Sequence, residues 1–387
     1  MSTLSPLVLL AALAASPALT AAQELTPIPL TPAMWTATDS LRFEEYLGRP
    51  SLYINKGVAL ARGIELTDGV IEFEMAATPR TTFLGAAFHA TRPDFAEIIF
   101  FRPGQSGTSD AIQCGPAMNN LGAAWQVYHG EGANAATEIT RERWRHVRIE
   151  LAGGTARLFL DRQTEPVLTV PRLAGTGGGA LGVWTGLFGR GAHYSNFAYR
   201  RATPATAAHV APAAGVLMEW DLSEAVDAAR VRPGVLPDLE TLTWQRVRAE
   251  PQGFVLVNRY HAAPVASIPF DPETRIIYVD SVMGGRVRGT KVVFARHVIE
   301  AEQAGYRRMH ISYSDGVVVY ANAQPLFFGM NAQFFRGDGI MTEVGDAVYL
   351  PLERGRNEIV LAVTEYTGGW AFRARLDPEL IPAPSRK

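Results

Sequence analysis

One cysteine, Cys114, stands in 387 residues. No disulfide can form within the chain, and a thiolate zinc site is excluded. Excess charge of one sign is also lacking. The 36 Lys and Arg meet 38 Asp and Glu, so there is no basic surplus to draw nucleic acid and no acidic tail. No apolar run is long enough for a membrane-spanning helix. The eight histidines show neither an i, i+4 pair nor another ligand spacing. Gly104-Gln-Ser-Gly107 is not the elbow of a serine hydrolase, which leaves Ser106 a loop residue. Gly177, Gly179 and Gly182 spell a dinucleotide fingerprint, but a strand-like run follows them. The helix N-terminus that would meet the phosphates is missing.

What is present is 36 Gly and 25 Pro, set between short β-rich runs. That grammar predicts an all-β chain. Its length suits two domains, and a hydrophobic content of 47% supports ordinary buried cores. Residues 1–22 read as an export signal, with a short apolar core from Leu7 to Ala15 and small residues at Thr20-Ala-Ala22, although no Lys or Arg lies near Met1. The expected location is periplasmic or extracellular.

The clearest local statement is Trp144 to Asp161. Two alternating runs flank Gly153-Gly154, the signature of a hairpin with a two-residue loop. That loop pairs Ala152 with Thr155, and so sets Val147 against Leu160, Ile149 against Leu158 and Leu151 against Ala156. One side is apolar. The other sets Glu150 against Arg157 and His146 against Asp161. Further strands are expected at Ser51 to Leu60, from Val70 to Met75, and at Phe83 to His89, Glu97 to Arg102, Trp125 to His129, Leu181 to Trp184 and Ala192 to Tyr199. They make a sandwich over 28–202. The stretch 203–215 is small, Pro-containing and low in charge, as a linker is.

Residues 216–380 repeat the grammar without repeating the sequence. A short helix is expected near Leu222 to Arg230, with strands at Trp244 to Arg248 and Gly253 to Tyr260. Met309, Ile311 and Tyr313 alternate up to Asp315-Gly316, and Val317 to Tyr320 return, which reads as a second hairpin. Val348, Leu350 and Leu352 alternate. Ile359 to Val363 is apolar on both faces and should be central. After Gly368-Gly369 comes the alternating run of Trp370, Phe372, Ala374 and Leu376. The fold class is therefore all-β, two antiparallel β-sandwich (jelly-roll) domains in tandem.

Several segments carry a resemblance. Asp68-Gly-Val-Ile-Glu-Phe73, Phe95 to Pro103, Trp144 to Leu160, and Gly182-Val-Trp184 with Tyr194-Ser-Asn-Phe197 resemble the laminin-G-like, concanavalin A-like sandwich. That group includes bacterial secreted domains related to 3-keto-disaccharide hydrolases. Ser314 to Asn322, Leu350 to Glu358 and Gly368 to Phe372 resemble a galactose-binding-like jelly roll, although Ala323 replaces the usual glycine after Asn322. Both resemblances imply binding of a polysaccharide or glycoconjugate, a warrant of fold analogy only.

Sugar binding needs flat apolar faces and hydrogen-bonding side chains. The segment from Arg102 to His129 offers Arg102, Asp110, Gln113, Asn119, Trp125, Gln126, Tyr128 and His129. If it is a strand, Trp125 and His129 share one face, and that pair, with Arg102 and Gln113, is the expected ligand-binding set. The competing reading buries Trp125 in the core. Around the Gly-Gly turn, Trp370 and Arg373, with Tyr366 and Glu365, are second candidates; there, too, the competing reading has Trp370 plug the sandwich. A glycosidase needs two carboxylates across the bond. Glu97 and Asp110 are the candidates, with Asp94 and Glu131 nearby, but the Glu-x-Asp-x-x-Glu strand of glucanases with this fold is absent. No cofactor is expected. Calcium stays open, because both folds often hold it through loop oxygens, and Asp338, Glu343 and Asp346 are the loop candidates. A non-catalytic carbohydrate-binding protein is the leading reading. A glycoside-cleaving enzyme and an envelope protein-interaction module are the alternatives.

Overall fold

The computed structural model describes residues 24–119, 122–175, 177–186, 190–207, 211–232, 234–262, 291–331, 339–342, 345–365 and 368–382. The expected export signal, part of the linker stretch, and Asp338, Glu343 and Tyr366 lie outside them. Among the described residues there are strands and short 3-10 turns but no α-helix. An eight-stranded and a seven-stranded antiparallel sheet are drawn wholly from residues 26–202. A second seven-stranded sheet and a four-stranded sheet are drawn wholly from 219–382. The protein is therefore all-β, two antiparallel sandwiches in tandem.

Each sandwich closes over its own core. In the first, Ile71, Phe73 and Met75 of one sheet face Leu84, Ala86 and Phe88 of the other. The alternation of strand Asp68–Ala77 directs its glutamates outward and these three side chains inward. Tyr194 ties the two sheets at their centre. Its buried hydroxyl donates to Trp184 O (2.8 Å) and accepts from Gly85 N (3.0 Å). In the second sandwich, Met309, Ile311 and Tyr313 face Val317, Val319, Leu361 and Val363. Strand Gly355–Glu365 lies between two neighbours, as its two apolar faces require.

The Gly153-Gly154 hairpin forms in the expected register, from Ala152 opposite Thr155 to Val147 opposite Leu160. Both glycines have positive φ, 57° and 78°, which is what a two-residue turn matched to strand twist demands. Glu150 bonds Arg157 at 2.8 Å and also Arg148 at 3.0 Å. The pairing of His146 with Asp161 is not made by side chains. Asp161 turns out of the ladder at φ 50° and meets Arg145, while His146 meets Glu72 on the neighbouring strand (3.2 Å).

Four other expectations are corrected. Leu222 to Arg230 is not a helix: it ends strand Glu219–Ser223, adds the short strand Val226–Asp227 and finishes in one 3-10 turn. Gly253 to Tyr260 is a strand only at Phe254–Leu256, after which the chain curls through Val257–Arg259. The run from Met309 to Tyr320 is not a hairpin. Strand Gly305–Ser314 pairs within the four-stranded sheet, and Gly316–Ala321 pairs within the seven-stranded one. The chain crosses from sheet to sheet at Asp315, and an alternating run buries the same residues whether it folds back on itself or crosses over. Trp125 to His129 is a turn, held by Val127 N and Tyr128 N on Ala124 O.

Candidate functional site

The chain around that turn is where the two sandwiches meet. Gln126 N donates to Gly368 O, and Met341 N donates to Gln126 O. Asn119 Nδ2 donates to Asn258 O (2.6 Å), and Arg259 Nη2 to Ala174 O (3.0 Å). Met118, Ala124 and Val127 of the first sandwich pack on Phe254, Leu256 and Ala371 of the second. The apolar contact is small and is edged by polar groups, and beside it lies a cavity of 210 Å³. Its wall combines Glu97, Tyr128, His129, Glu131 and Arg172 of the first sandwich with Gln252, Phe254 and Arg373 of the second.

Glu97 sits on strand Phe95–Phe101 with its side chain turned from water. Gly175 N donates to its Oε1 at 2.5 Å. Burial pushes its carboxyl up to about 7, against the pull of the Gly175 amide and of Arg259. Tyr128 is partly buried with its hydroxyl turned from water, and its ring is edge-on to Phe254 with centroids 5.2 Å apart. Burial, reinforced by Glu250 and Glu97, raises its hydroxyl well above the ordinary phenol value. Its Oη has no hydrogen-bond partner. Behind them Arg259 and Glu250 form an ion pair at 2.6 Å, and burial raises the Glu250 carboxyl despite that partner. The cavity is thus lined by a residue whose carboxyl is raised toward neutral pH, a tyrosine whose hydroxyl is unpaired, and a phenyl wall.

Of the residues expected to form a site, Glu97, His129 and Arg373 line this cavity. Arg102, Asp110 and Gln113 also come together, but around one another. Arg102 donates to Asp110 O and to Gln113 Oε1. Asp110 takes His129 Nε2 (3.0 Å) and Asn134 Nδ2 (2.9 Å). Gln113, fully buried, donates to the carbonyls of Trp125 and Tyr128. This network shapes the turn, with Arg102 and Gln113 bonded within it and Asp110 held against His129. Trp125 stands apart from the cavity. On a turn it does not share a strand face with His129, and it packs half-buried on the outer side of the first sandwich's seven-stranded sheet.

Trp370 is wholly buried in the second core, its Nε1 donating to Val363 O. Glu365 is buried beside Asp315, with burial first and that neighbour second raising its carboxyl. Asp346 begins strand Asp346–Leu352 and accepts from Tyr313 Oη (2.6 Å). Among the described residues no group of three or more His, Cys, Asp and Glu is placed to hold a metal, and no helix is long and apolar enough to cross a membrane.

Sequence reasoning missed Arg172, Gln252 and Phe254. No local signal marks them, because each is an ordinary loop or strand residue until the sandwiches dock. Tyr128 is legible in the candidate segment, where the strand reading prefers Trp125, and Glu131 is legible as a carboxylate near Glu97 and Asp110.

Fold and site together define a tandem β-sandwich protein with a polar and aromatic cavity at the joint. No protein-family model matches the chain, and no curated protein matches its sequence. Some solved structures are similar. The carbohydrate binding module CBM66 from Bacillus subtilis is 13% identical over 43% of this chain and 94% of its own, with a TM-score of 0.34. A putative glycosyl hydrolase from Parabacteroides distasonis is 9% identical over 44% of this chain and 89% of its own, at 0.30. The exoplasmic/lumenal domain of VIP36, solved in a Ca2+/Man3GlcNAc-bound form, is 14% identical over 44% and 86%, at 0.30. At such identities and scores these likenesses carry nothing about ligand or activity.

Proposed function

We propose that this chain binds a saccharide in the cavity between its two sandwiches and does not transform it. One observation carries the reading: Tyr128, whose hydroxyl is shut off from water and has no partner, lines the same space as Glu97, Arg373, Gln252 and the Phe254 ring. A buried hydroxyl left unpaired costs about 1–3 kcal/mol, and a ligand hydroxyl would recover that. A neutral Glu97 both donates and accepts, as a sugar diol requires. Phe254 offers an apolar surface to sugar C–H groups. At 210 Å³ the cavity is smaller than the roughly 300–1,000 Å³ usual for drug-sized ligands, which suits one sugar unit. The resemblance of the two halves to laminin-G-like and galactose-binding-like sandwiches supports the same class of ligand. Residues 1–22 support an exported protein, and Asp346 and Asp338 are the carboxylates at which calcium would be sought.

Isothermal titration against a saccharide panel tests the proposal. Arg373→Ala and Gln252→Ala should each weaken the best ligand about tenfold, the equivalent of about 1.4 kcal/mol. Absence of binding to any saccharide, or equal binding by both variants, would overturn it.

A second reading is favoured by Glu97 itself. A carboxyl pushed up to about 7 has the pKa a general acid needs, and Glu131 lines the same cavity as a second carboxylate. Incubation with the bound saccharide separates the two readings. New reducing ends, lost in Glu97→Gln, would establish hydrolysis, whereas binding without product leaves the first reading standing.

A further inference from the structure

The outer face of the four-stranded sheet runs out of the junction cavity as a ladder of side chains. Its first row is Phe254, Arg373 and Ser312, paired across neighbouring strands. Phe254 and Arg373 line the cavity, and the Ser312 hydroxyl donates to Thr342 O, also on the cavity wall. Two residues further along the strands lie Arg375, His310 and Ala347. Next come Arg308 and Tyr349, directly opposite each other, with Asp377 beside them. Asp377 binds Arg308 at 2.5 Å and His310 at 3.2 Å. The last row is Pro351, Tyr306 and Ile381. Residues two apart share a face, so the rows from Ser312 to Tyr306 extend about 20 Å at roughly 3.3 Å per residue.

This face is not covered. Tyr349 is 51% exposed, Ile381 42% and Tyr306 38%, while the alternate residues Met309, Val348 and Leu350 are buried in the core. Tyr306 and Tyr349 are diagonal neighbours, a relation that sets side chains about 7–8 Å apart. Their rings are spaced along the strand direction, with Arg308, His310, Asp377 and Arg375 between them and the cavity. Adjacent aromatic plates, joined to the cavity by rows of planar and charged hydrogen-bonding groups, match an extended chain of sugar rings, each with one C–H face and an equatorial belt of hydroxyls. A protein partner would favour an apolar patch over the whole face, whereas here Tyr306, Tyr349, Pro351 and Ile381 cluster at the far end only.

We propose that this face is a track for a polysaccharide chain, whose end or one internal unit occupies the junction cavity while the following units lie over His310, Arg308, Tyr349 and Tyr306. The proposal rests on the cavity being a saccharide site, and it names the ligand class as a polymer rather than a free monosaccharide.

The test is native gel electrophoresis of the full chain through arabinan, xylan, mixed-linkage β-glucan, galactomannan, pullulan and polygalacturonate. The polymer that retards it is then titrated as a size series of its own oligosaccharides. Affinity should rise with length over the first several units. The double variant Tyr306→Ala, Tyr349→Ala, whose positions are exposed and whose fold is checked by circular dichroism, should lose about tenfold in affinity for the longer oligomers. Its affinity for the shortest one bound should stay unchanged. Affinity independent of length, or a double variant that binds every length as the parent does, would overturn the track and leave the cavity site standing. A variant that loses the shortest ligand as well would overturn the division into cavity and track. Length-dependent binding that survives Arg373→Ala and Gln252→Ala would overturn the cavity reading instead. Retardation by none of the polymers would overturn the track, and no binding of any mono- or oligosaccharide would remove both.

Discussion

On the proposed function, two buried groups, the Tyr128 hydroxyl and the Glu97 carboxyl, set stability against binding. The Tyr128 hydroxyl is enclosed and unpaired, so Tyr128→Phe should stabilise the free protein by about 1–3 kcal/mol in urea denaturation while weakening saccharide binding. A structural tyrosine would show the opposite sign in stability and none in binding. Glu97 moves from 4.5 to about 7 on folding. Above 4.5 the unfolded chain gives up this proton while the folded chain keeps it, so Glu97 lowers stability progressively as pH rises to about 7, and its penalty is constant above that. Glu97→Gln should remove this slope. Compared at about pH 5 and about pH 8, the variant should gain on the parent by on the order of 3 kcal/mol, and a parallel pair of pH profiles would rule out the raised carboxyl. Arg259, Glu250, Tyr128 and Cys114 are the charged and titratable neighbours of Glu97, and all are retained in the variant. The sequence showed Glu97 on a strand and near a cleft. It could not show that the carboxyl is raised to about 7, because that follows from burial by tertiary contacts.

Among the elements, the Gly153-Gly154 hairpin was legible to the residue. Its apolar face, its Glu150–Arg157 pair and its turn glycines all specify one register, since a slip by one would expose Ile149 and Leu158. Gly153→Ala tests the turn. It places a side chain at φ 57° against Thr206 O, and should lower stability by about 1–2 kcal/mol, read as a fall in the thermal midpoint, with the β-sheet circular dichroism unchanged. The run from Met309 to Tyr320 was misread for an equally local reason. Asp315-Gly316 has the composition of a tight turn, but whether the chain returns beside itself or enters the opposite sheet depends on which partners wait there. Those partners, Gly355–Glu365 on one side and Ala371–Pro382 on the other, lie dozens of residues away. The turn at Trp125 to His129 was misread because side-chain alternation also occurs by chance in a loop. Its true determinant, the Gln113 amide reaching two of its carbonyls, is a tertiary contact.

At the scale of the whole molecule, the proposed site and the architecture share the joint between the sandwiches. The sequence shows two sandwiches and the composition of a linker, but says nothing of the surface on which they meet. Phe254, Gln252 and Arg172 consequently carry no advance mark, and Arg373 was named for its neighbours around the Gly-Gly turn rather than for the cavity it lines. The joint is sensitive at Gly368, at φ 88°, where a Cβ would collide with the Gln126 amide. Gly368→Ala should loosen the docking. Small-angle scattering should report a larger radius of gyration, and saccharide affinity should fall without loss of either sandwich's secondary structure. Unchanged scattering together with unchanged affinity would show that the contact is incidental.

The most direct measurement is a crystal structure of the protein with the saccharide it binds most tightly. A sugar unit lodged between the sandwiches, with a hydroxyl on Tyr128 Oη and another on Arg373, is the predicted result. A sugar held only on the outer face of the first sandwich, by Trp125 and its surroundings, with the joint holding nothing but water, would contradict the account.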